Sequence, residues 1–217
     1  MKLYRPLDSK FPISQKWGEN PAYYNTIGLN GHNGWDYACP VGTPIFAAHD
    51  GTVWFAGIDP TLSNTIAIDT TDGLYRTFYA HLSSFSVLNG QSVKCGDQIG
   101  LSGNSGRYTT GPHLHFGIHH IKNYSDVDID NGWNGAVDPL PYFEGLTRNL
   151  LLGSQGEDVR VLQDFLKAKG FLTINETTQY FGFATMKSLI AFQRANKLSP
   201  AVGFCGNLTR GSINPLI

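Results

Sequence analysis

The sequence has few cysteines and no long apolar run. Its 217 residues include only 3 cysteines, which are widely spaced and form no Cys-x-x-Cys pair. This pattern argues against a disulfide framework and against a thiolate metal site, so we expect Cys39, Cys95 and Cys205 to pack as small side chains. Nowhere do about 18 consecutive apolar residues suggest a membrane span. No apolar run follows Lys2, so the N-terminus predicts no secretory signal.

Charge of either sign is also scarce. Charged residues make up 15% of the chain, and the formal net charge is −1. Residues 1–149 carry 9 basic and 13 acidic side chains, whereas residues 150–217 carry 7 basic and 4 acidic ones. The C-terminal part is thus mildly suited to an anionic surface. We expect a globular monomer with no nucleic-acid partner and no membrane insertion.

Short β-favouring segments fill the region from about residue 43 to 116. They are separated by clusters of Gly, Asp, Asn and Ser, and they read TPIFAAH, GTVWFAG, NTIAIDT, LYRTFYAHL and HLHFGIHH. Segments of this length with turn residues between them predict an antiparallel all-β domain.

The pattern becomes helical after Pro139 and Pro141. Ser154 stands three residues before Glu157, a spacing typical of a capping box, and Gly170 supplies a C-terminal stop. The predicted helix carries apolar side chains at helical spacing, at Val159, Leu162, Phe165 and Leu166.

A second helix is predicted over about residues 184–196. The chain is therefore predicted to be multidomain, with an antiparallel all-β domain over residues 1–143 and a linker over 144–149. A small three-helix domain would follow over 150–217.

Three short motifs, GHNGWD, FYAHLS and GPHLHFGI, carry five side chains that can serve one zinc ion: His32, Asp36, His81, His113 and His115. Catalytic zinc takes three protein ligands and leaves a fourth position open. Taken singly, each motif favours a structural explanation. The glycines and asparagines around His32 argue against a helix, so a turn has to bring it to Asp36.

The third motif is the most specific of the three, because residues i and i+2 of a strand point to the same side. His113 and His115 should therefore share one face, while Leu114 and Phe116 point to the opposite layer. A His-x-His pair alone is also typical of an ordinary polar sheet face.

In order and spacing, the motifs resemble the lysostaphin-type zinc endopeptidases, which cut peptides in bacterial cell walls. The resemblance covers about residues 28–120 and includes the intervening GTP and DGTV elements. It implies one zinc ion per chain, bound by His32, Asp36 and His115. The implied catalytic histidines are His113, as general base for the attacking water, and His81, which would help zinc to stabilise the oxyanion.

The remaining histidines, His49, His119 and His120, lie outside these motifs, and we expect them to be structural or surface residues. The segment 126–138, DVDIDNGWNGAVD, superficially resembles an EF-hand. Its glycine is at position 7 of the loop instead of 6, and Val137 stands where a bidentate Glu belongs. We interpret it as an Asp-rich surface loop at the rim of a substrate groove.

The C-terminal part has a resemblance of its own. GSQGEDVRVLQDFLKAKGF, YFGFATMKSLIAFQRANKL and LTRGSIN resemble the small helical peptidoglycan-binding domain of many wall hydrolases. Most of the matching residues are those that three packed helices need, so the pattern indicates the fold more than the ligand. Relatives carry an Asp-Gly turn before the last helix, where this chain reads SPAVGFCGNLT.

Together the resemblances imply an endopeptidase that hydrolyses peptide cross-links or stem peptides of peptidoglycan. A weak wall anchor raises the effective concentration of a catalytic domain at an insoluble substrate. The helical anchor, in place of the small β-barrel common in staphylococcal lysins, favours D-alanyl-diaminopimelate bonds over glycyl-glycine bonds.

The layout and the predicted lack of a signal resemble a phage endolysin, made in the host cytoplasm and released to the wall, or a virion-associated lysin. An autolysin exported by another route would look the same. Two further alternatives are a non-catalytic wall-binding or amidase-activating protein and an N-acetylmuramoyl-L-alanine amidase.

Overall fold

Two units, each with its own core, make up the chain. The computed structural model describes residues 2–146, 148–214 and 217. It divides into Leu3–Pro139 and Leu140–Ile217. This division falls near the predicted linker over residues 144–149. Whether residues 1–143 and 150–217 fold as independent domains stays a prediction. None of the described helices is long and apolar enough to span a membrane.

The first unit consists of antiparallel strands, and only a short helix α1 (Pro21–Tyr24) and a 3₁₀ turn (Asn25–Ile27) interrupt them. The strands are β1 (Ile13–Gln15), β2 (Trp35–Ala38), β3 (Pro44–Phe46), β4 (Gly51–Asp59), β5 (Ser63–Thr70), β6 (Tyr75–Ala80), β7 (Ser84–Phe85), β8 (Ser92–Val93), β9 (Gln98–Leu101), β10 (His113–Lys122) and β11 (Ser125–Asp126). The large sheet has the order β1-β2-β10-β6-β5-β4-β8, with β11 also on β10. A small sheet has the order β3-β9-β7.

The predicted antiparallel all-β architecture is confirmed, and all five β-favouring segments contain a strand. Strand β2 was not predicted, because the glycines and asparagines of GHNGWD favour a turn over a strand. The central strand β10 is buried along nearly its whole length. It lies between β2 and β6, so both of its edges are hydrogen-bonded.

The second unit contains short helix α2 (Leu140–Glu144) and three further helices, α3 (Glu157–Ala168), α4 (Phe183–Ala195) and α5 (Asn207–Ile213). The predicted second helix is thus correct to within one residue at each end. The apolar positions that the periodicity placed in the core are buried, and Phe165 meets Phe192 edge to face with 5.2 Å between ring centroids. The apolar side chains of this core include Val159, Leu162, Leu166 and Leu189.

The predicted capping box on α3 is wrong. Gly156 is the N-cap residue, in a conformation (φ 131°) suited to glycine, and α3 has no side-chain cap. The Ser154 hydroxyl accepts a hydrogen bond from the Leu151 N–H instead. The other end agrees with the prediction, since Gly170 follows the helix with φ 76°.

Two buried glutamines organise the loops of the second unit in the same way. Gln163 of α3 accepts a hydrogen bond from the Thr178 N–H and donates to the Tyr180 carbonyl and the Thr185 hydroxyl. Each loop is thereby fastened to the helix before it and to the helix after it. Gln193 of α4 repeats the pattern with Gly203 N–H, the Phe204 carbonyl and the Thr209 hydroxyl.

A buried hydrogen-bond chain links β6 to the segment between β3 and β4. The Ala48 N–H donates to the Tyr79 hydroxyl, which lies 3.1 Å from Thr77 Oγ1. Thr77 Oγ1 in turn lies 2.9 Å from Nε2 of His49, whose Nδ1 donates to the Asp50 carbonyl. His49 is thus a buried structural residue, as expected, and burial lowers its pKa.

We predict that Thr77→Val destabilises the protein by about 1–3 kcal/mol, because the buried Nε2 of His49 loses its partner. The midpoint of urea unfolding should fall while the slope of the unfolding free energy stays unchanged.

Thr65→Val is the matched control. Thr65 is also a buried strand threonine, 1% exposed, but its hydroxyl has no hydrogen-bond partner among the described residues. Its replacement should be neutral or stabilising. Equal losses in both variants would contradict the importance of the hydrogen-bond chain.

Candidate metal centre

Three of the five predicted side chains converge on one point. Nε2 of His32 lies 3.1 Å from Oδ1 of Asp36, and Nδ1 of His115 lies 2.9 Å from the same oxygen. The two ring nitrogens are 3.0 Å apart. These atoms come from residues up to 83 positions apart in the chain. They form the only metal-compatible group of three or more such side chains found among the described residues.

The large sheet brings two of them together directly. Asp36 on β2 is the register partner of His115 on β10. His32 reaches them from the irregular segment before β2. Gly34 makes this approach feasible, since a Cβ there would come within 2.7 Å of the His115 ring and 2.5 Å of the Phe116 carbonyl oxygen. The turn that the sequence required between His32 and Asp36 is therefore present.

The donor set fits a cation. The Nδ1 of His32 lies 3.2 Å from the Lys16 carbonyl oxygen, which can only accept, so this nitrogen carries the hydrogen. A neutral His32 ring then turns the lone pair of Nε2 towards the Asp36 carboxylate, a repulsive contact unless a cation lies between them. Tetrahedral zinc separates its N and O ligand atoms by roughly 3–3.5 Å, close to the observed triangle.

Electrostatics favour the protonation states that a metal needs. Burial raises the pKa of the Asp36 carboxyl, but the hydrogen bond from His115, followed by the effect of the neighbouring His32, outweighs it and holds that pKa well below its usual range. Burial lowers the pKa of His115, against the opposing effect of Asp36. An ionised carboxylate and neutral imidazoles are the forms that bind metals.

The other two predicted side chains flank this group. His113 shares the strand face of His115, as expected, and its Nε2 is 3.7 Å from Oδ2 of Asp36. His81 follows the last residue of β6, and its ring centroid is 4.8 Å from that of His113. All five predicted residues are therefore brought together at one site.

Main-chain carbonyls orient both flanking rings. Nδ1 of His81 donates to the Ser105 carbonyl at 2.8 Å, and Nδ1 of His113 donates to the Gly111 carbonyl at 2.8 Å. The neutral forms of both rings therefore carry a free lone pair at Nε2. Each ring can accept a proton at that atom without losing its orienting hydrogen bond.

His81 has two unusual properties. Its φ is 62°, a left-handed conformation that costs free energy for a residue with a Cβ. Burial, followed by the effects of His115 and His113, lowers its pKa to about 4. The ring is thus neutral at pH 7.

Sequence reasoning missed Tyr24 of α1. Its ring lies against that of His32, with 5.4 Å between centroids. Burial and the charge of Asp36 raise the pKa of its hydroxyl. No motif or spacing in the sequence points to this tyrosine, because a short helix and the fold of the following loop bring it to the site.

The remaining histidines lie outside the site, and His119 and His120 are buried on β10. The Asp-rich segment 126–138 is only partly a surface loop, because it begins in a strand and its residues 135–137 are buried. Asp126 belongs to β11 and lies 3.4 Å from Nη1 of the buried Arg76. The three cysteines are free, and Cys39 and Cys205 are buried as expected, whereas Cys95 is exposed and does not pack in a core.

Comparison with known proteins agrees with this geometry. The profile of "Peptidase family M23" matches residues 30–129, which contain all five side chains. The solved catalytic domain of lysostaphin from Staphylococcus simulans is 32% identical, with a TM-score of 0.52. That match covers 61% of this chain and 92% of the lysostaphin domain. The chain belongs to peptidase family M23.

Curated relatives in the M23 family include the peptidoglycan DD-endopeptidase ShyA of Vibrio cholerae, 42% identical over 51% of this chain. The glycyl-glycine endopeptidase ALE-1 of Staphylococcus capitis is 40% identical over 54% of this chain. The matches cover only 25% and 31% of the length of these two relatives.

The second unit matches a different profile, "Putative peptidoglycan binding domain", over residues 155–211. This range contains helices α3 and α4 and most of α5. The predicted combination of an M23 domain with a helical unit of this type is therefore confirmed.

We predict that His115→Ala abolishes tight zinc binding, because it removes one corner of the donor triangle. His113→Ala should retain one zinc ion per chain. Zinc content after dialysis, measured by atomic emission, distinguishes the two variants. Loss of the metal from His113→Ala alone would instead assign His113 as the ligand.

We also predict a pH effect on the stability of the metal-free protein from His81. Its folded pKa of about 4 lies below the unfolded value of about 6.5, so the unfolded state binds more protons between these values. The contribution of His81 to the free energy of unfolding should be fully present above about pH 6.5. It should fall by roughly 1–3 kcal/mol as the pH is lowered towards 4.

The test is urea unfolding in the presence of a chelator at several pH values. His81→Asn is the suitable variant, because asparagine tolerates the left-handed backbone and does not titrate. Its stability should depend less on pH in this window than that of the unchanged protein. An equal slope in both proteins would contradict the prediction.

Proposed function

We propose that the chain is a zinc-dependent endopeptidase that hydrolyses peptide bonds of bacterial peptidoglycan. The observation that carries the proposal is the convergence of a His-Asp-His donor triangle with two histidines whose Nε2 lone pairs are free. This arrangement suits hydrolysis of an unactivated amide, which needs an electrophile, a base for water and a proton for the leaving amine.

The proposed zinc ligands are His32, Asp36 and His115, with one ion per chain. Zinc, when bound, supplies Lewis acidity, which polarises a carbonyl oxygen and lowers the pKa of water to roughly 7. With three protein ligands, a bound zinc ion would keep one position open for the substrate or water.

His113 is proposed as the base that accepts the proton of the attacking water at Nε2. Its Nδ1–H stays bonded to the Gly111 carbonyl, so the ring need not move when it is protonated. The proton that His113 accepts is proposed to return to the leaving amine, directly or by way of Nε2 of the neighbouring His81. A ring with a pKa of about 4 holds such a proton weakly and passes it on readily.

We propose cross-links or stem peptides as the substrate, with the D-alanyl-diaminopimelate bond preferred. The name of ShyA describes a DD-endopeptidase and that of ALE-1 a glycyl-glycine endopeptidase, and their identities to this chain are 42% and 40%. The likeness to relatives therefore supports both bonds about equally. The helical second unit, with its peptidoglycan-binding profile, is what favours the diaminopimelate wall.

The second unit is proposed to hold the enzyme on the wall, and the whole chain is proposed to act as a monomer. We further propose a lysin-like role, in which the protein reaches peptidoglycan after release from the cell that made it.

We predict that the zinc-loaded protein releases new free amino groups from purified diaminopimelate-type walls. Mass spectrometry of the fragments should find cleavage at the D-alanyl-diaminopimelate bond. His113→Ala, with its zinc retained, is the matched control and should reduce the initial rate by at least about 100-fold.

Other products would support the alternatives. Peptides cut free at the muramoyl-L-alanine bond would indicate an amidase. Binding to the wall with no new amino groups would indicate a non-catalytic binding or activating protein. Release from pentaglycine walls alone would contradict the proposed bond preference and retain the endopeptidase assignment.

A further inference from the structure

The three side chains of the donor triangle, His32, Asp36 and His115, are not positioned by the same kind of contact. Asp36 and His115 lie on β2 and β10, where the hydrogen bonds of the sheet fix their register. His32 lies in the irregular segment before β2. No strand pairing defines the position of its ring, so other contacts have to do so.

A tight turn over residues 16–19 contacts His32 on several sides. The Lys16 carbonyl accepts from Nδ1 of His32 at 3.2 Å. The Gly18 N–H donates to the His32 carbonyl at 2.9 Å, and the His32 N–H donates to the Glu19 carbonyl at 2.9 Å. The position of this turn therefore sets both the backbone of His32 and the direction of its ring.

Trp17, in the middle of this turn, stacks on Trp133. The ring centroids are 4.4 Å apart and the planes differ by 28°. A second contact lies beside the first, since the Asn30 N–H donates to the Gly132 carbonyl at 2.8 Å. The segment that carries His32 is thus fastened to residues 127–136, here called the bracket loop, directly through Asn30 and indirectly through the turn that contains Trp17.

The bracket loop is itself anchored to the central strand. The Val127 N–H donates to the His120 carbonyl at 3.0 Å, and the Val137 N–H beyond its other end donates to the Ile118 carbonyl at 2.9 Å. Inside the loop, Oδ1 of Asn131 accepts from the Trp133 N–H at 2.8 Å. These hydrogen bonds fix the position of the bracket loop, and of Trp133 within it, relative to β10.

We propose that Trp133 is a positioning residue for the ligand His32. Its ring braces Trp17 and thereby the Lys16 carbonyl that orients the imidazole, so the third ligand is preorganised through a contact between residues 116 positions apart. The inference rests on the proposed function in one respect, the assignment of His32 as a zinc ligand.

Trp133→Ala should weaken zinc binding by about 10-fold or more, the size expected when a group that orients a metal ligand is lost. Trp133→Phe, which keeps a stacking ring, should restore the affinity to within about 3-fold, less than 1 kcal/mol. The measurement is zinc competition with a chromophoric chelator. The visible absorption spectrum of the cobalt(II)-substituted protein is a second measurement, because it depends on ligand geometry. This spectrum should change in the alanine variant and not in the phenylalanine variant.

Tyr4→Ala is the matched control, because it removes an aromatic ring of the same unit that is 57% exposed. Its zinc affinity should equal that of the unchanged protein. If Trp133→Ala does not fold by circular dichroism, Trp133→Leu takes its place, since leucine keeps apolar bulk but offers no flat face.

The outcomes separate the two proposals. If the unchanged protein binds no zinc, the proposed function itself fails. If it binds zinc and the alanine or leucine variant binds equally tightly, only the role of Trp133 is overturned. Unchanged zinc affinity with a raised KM on peptidoglycan would also overturn it, because Trp133 would then be a substrate contact.

Discussion

The pairing of β2 with β10 is the constraint on which the candidate site depends. It sets Asp36 opposite His115, and the pairing of β10 with β6 sets His115 opposite Ala80, the residue before His81. The period of two along β10 adds His113 to the same face. Three neighbouring strands thus deliver four of the five side chains, and their relative positions follow from backbone hydrogen bonds alone.

Main-chain carbonyls supply the finer control. The carbonyls of Lys16, Ser105 and Gly111 each fix the hydrogen of one histidine on Nδ1. A carbonyl has no protonation state of its own, so these orientations persist over the whole pH range of the folded protein. Any proton that one of these three rings exchanges is therefore exchanged at its Nε2 atom.

Local patterns were sufficient to predict some features and insufficient for others. The shared face of His113 and His115 follows from strand periodicity, and the core of the second unit follows from helical spacing. The capping box at Ser154 failed because Gly156 could adopt a backbone conformation that made a side-chain cap unnecessary. The stack of Trp17 on Trp133 depends on two loops meeting across the site, which no local pattern encodes.

The repeated glutamine arrangement of the second unit has a consequence for how its surface can vary. The glutamines bind backbone groups and threonine hydroxyls, those of Thr178 and Thr185 for Gln163 and that of Thr209 for Gln193. Tyr180 and Phe204 occupy equivalent positions in the two loops and are 52% and 39% exposed. The glutamines bind the carbonyls of these two residues and not their rings, so we expect the hydrogen bonds that hold each loop to remain when either side chain is exchanged.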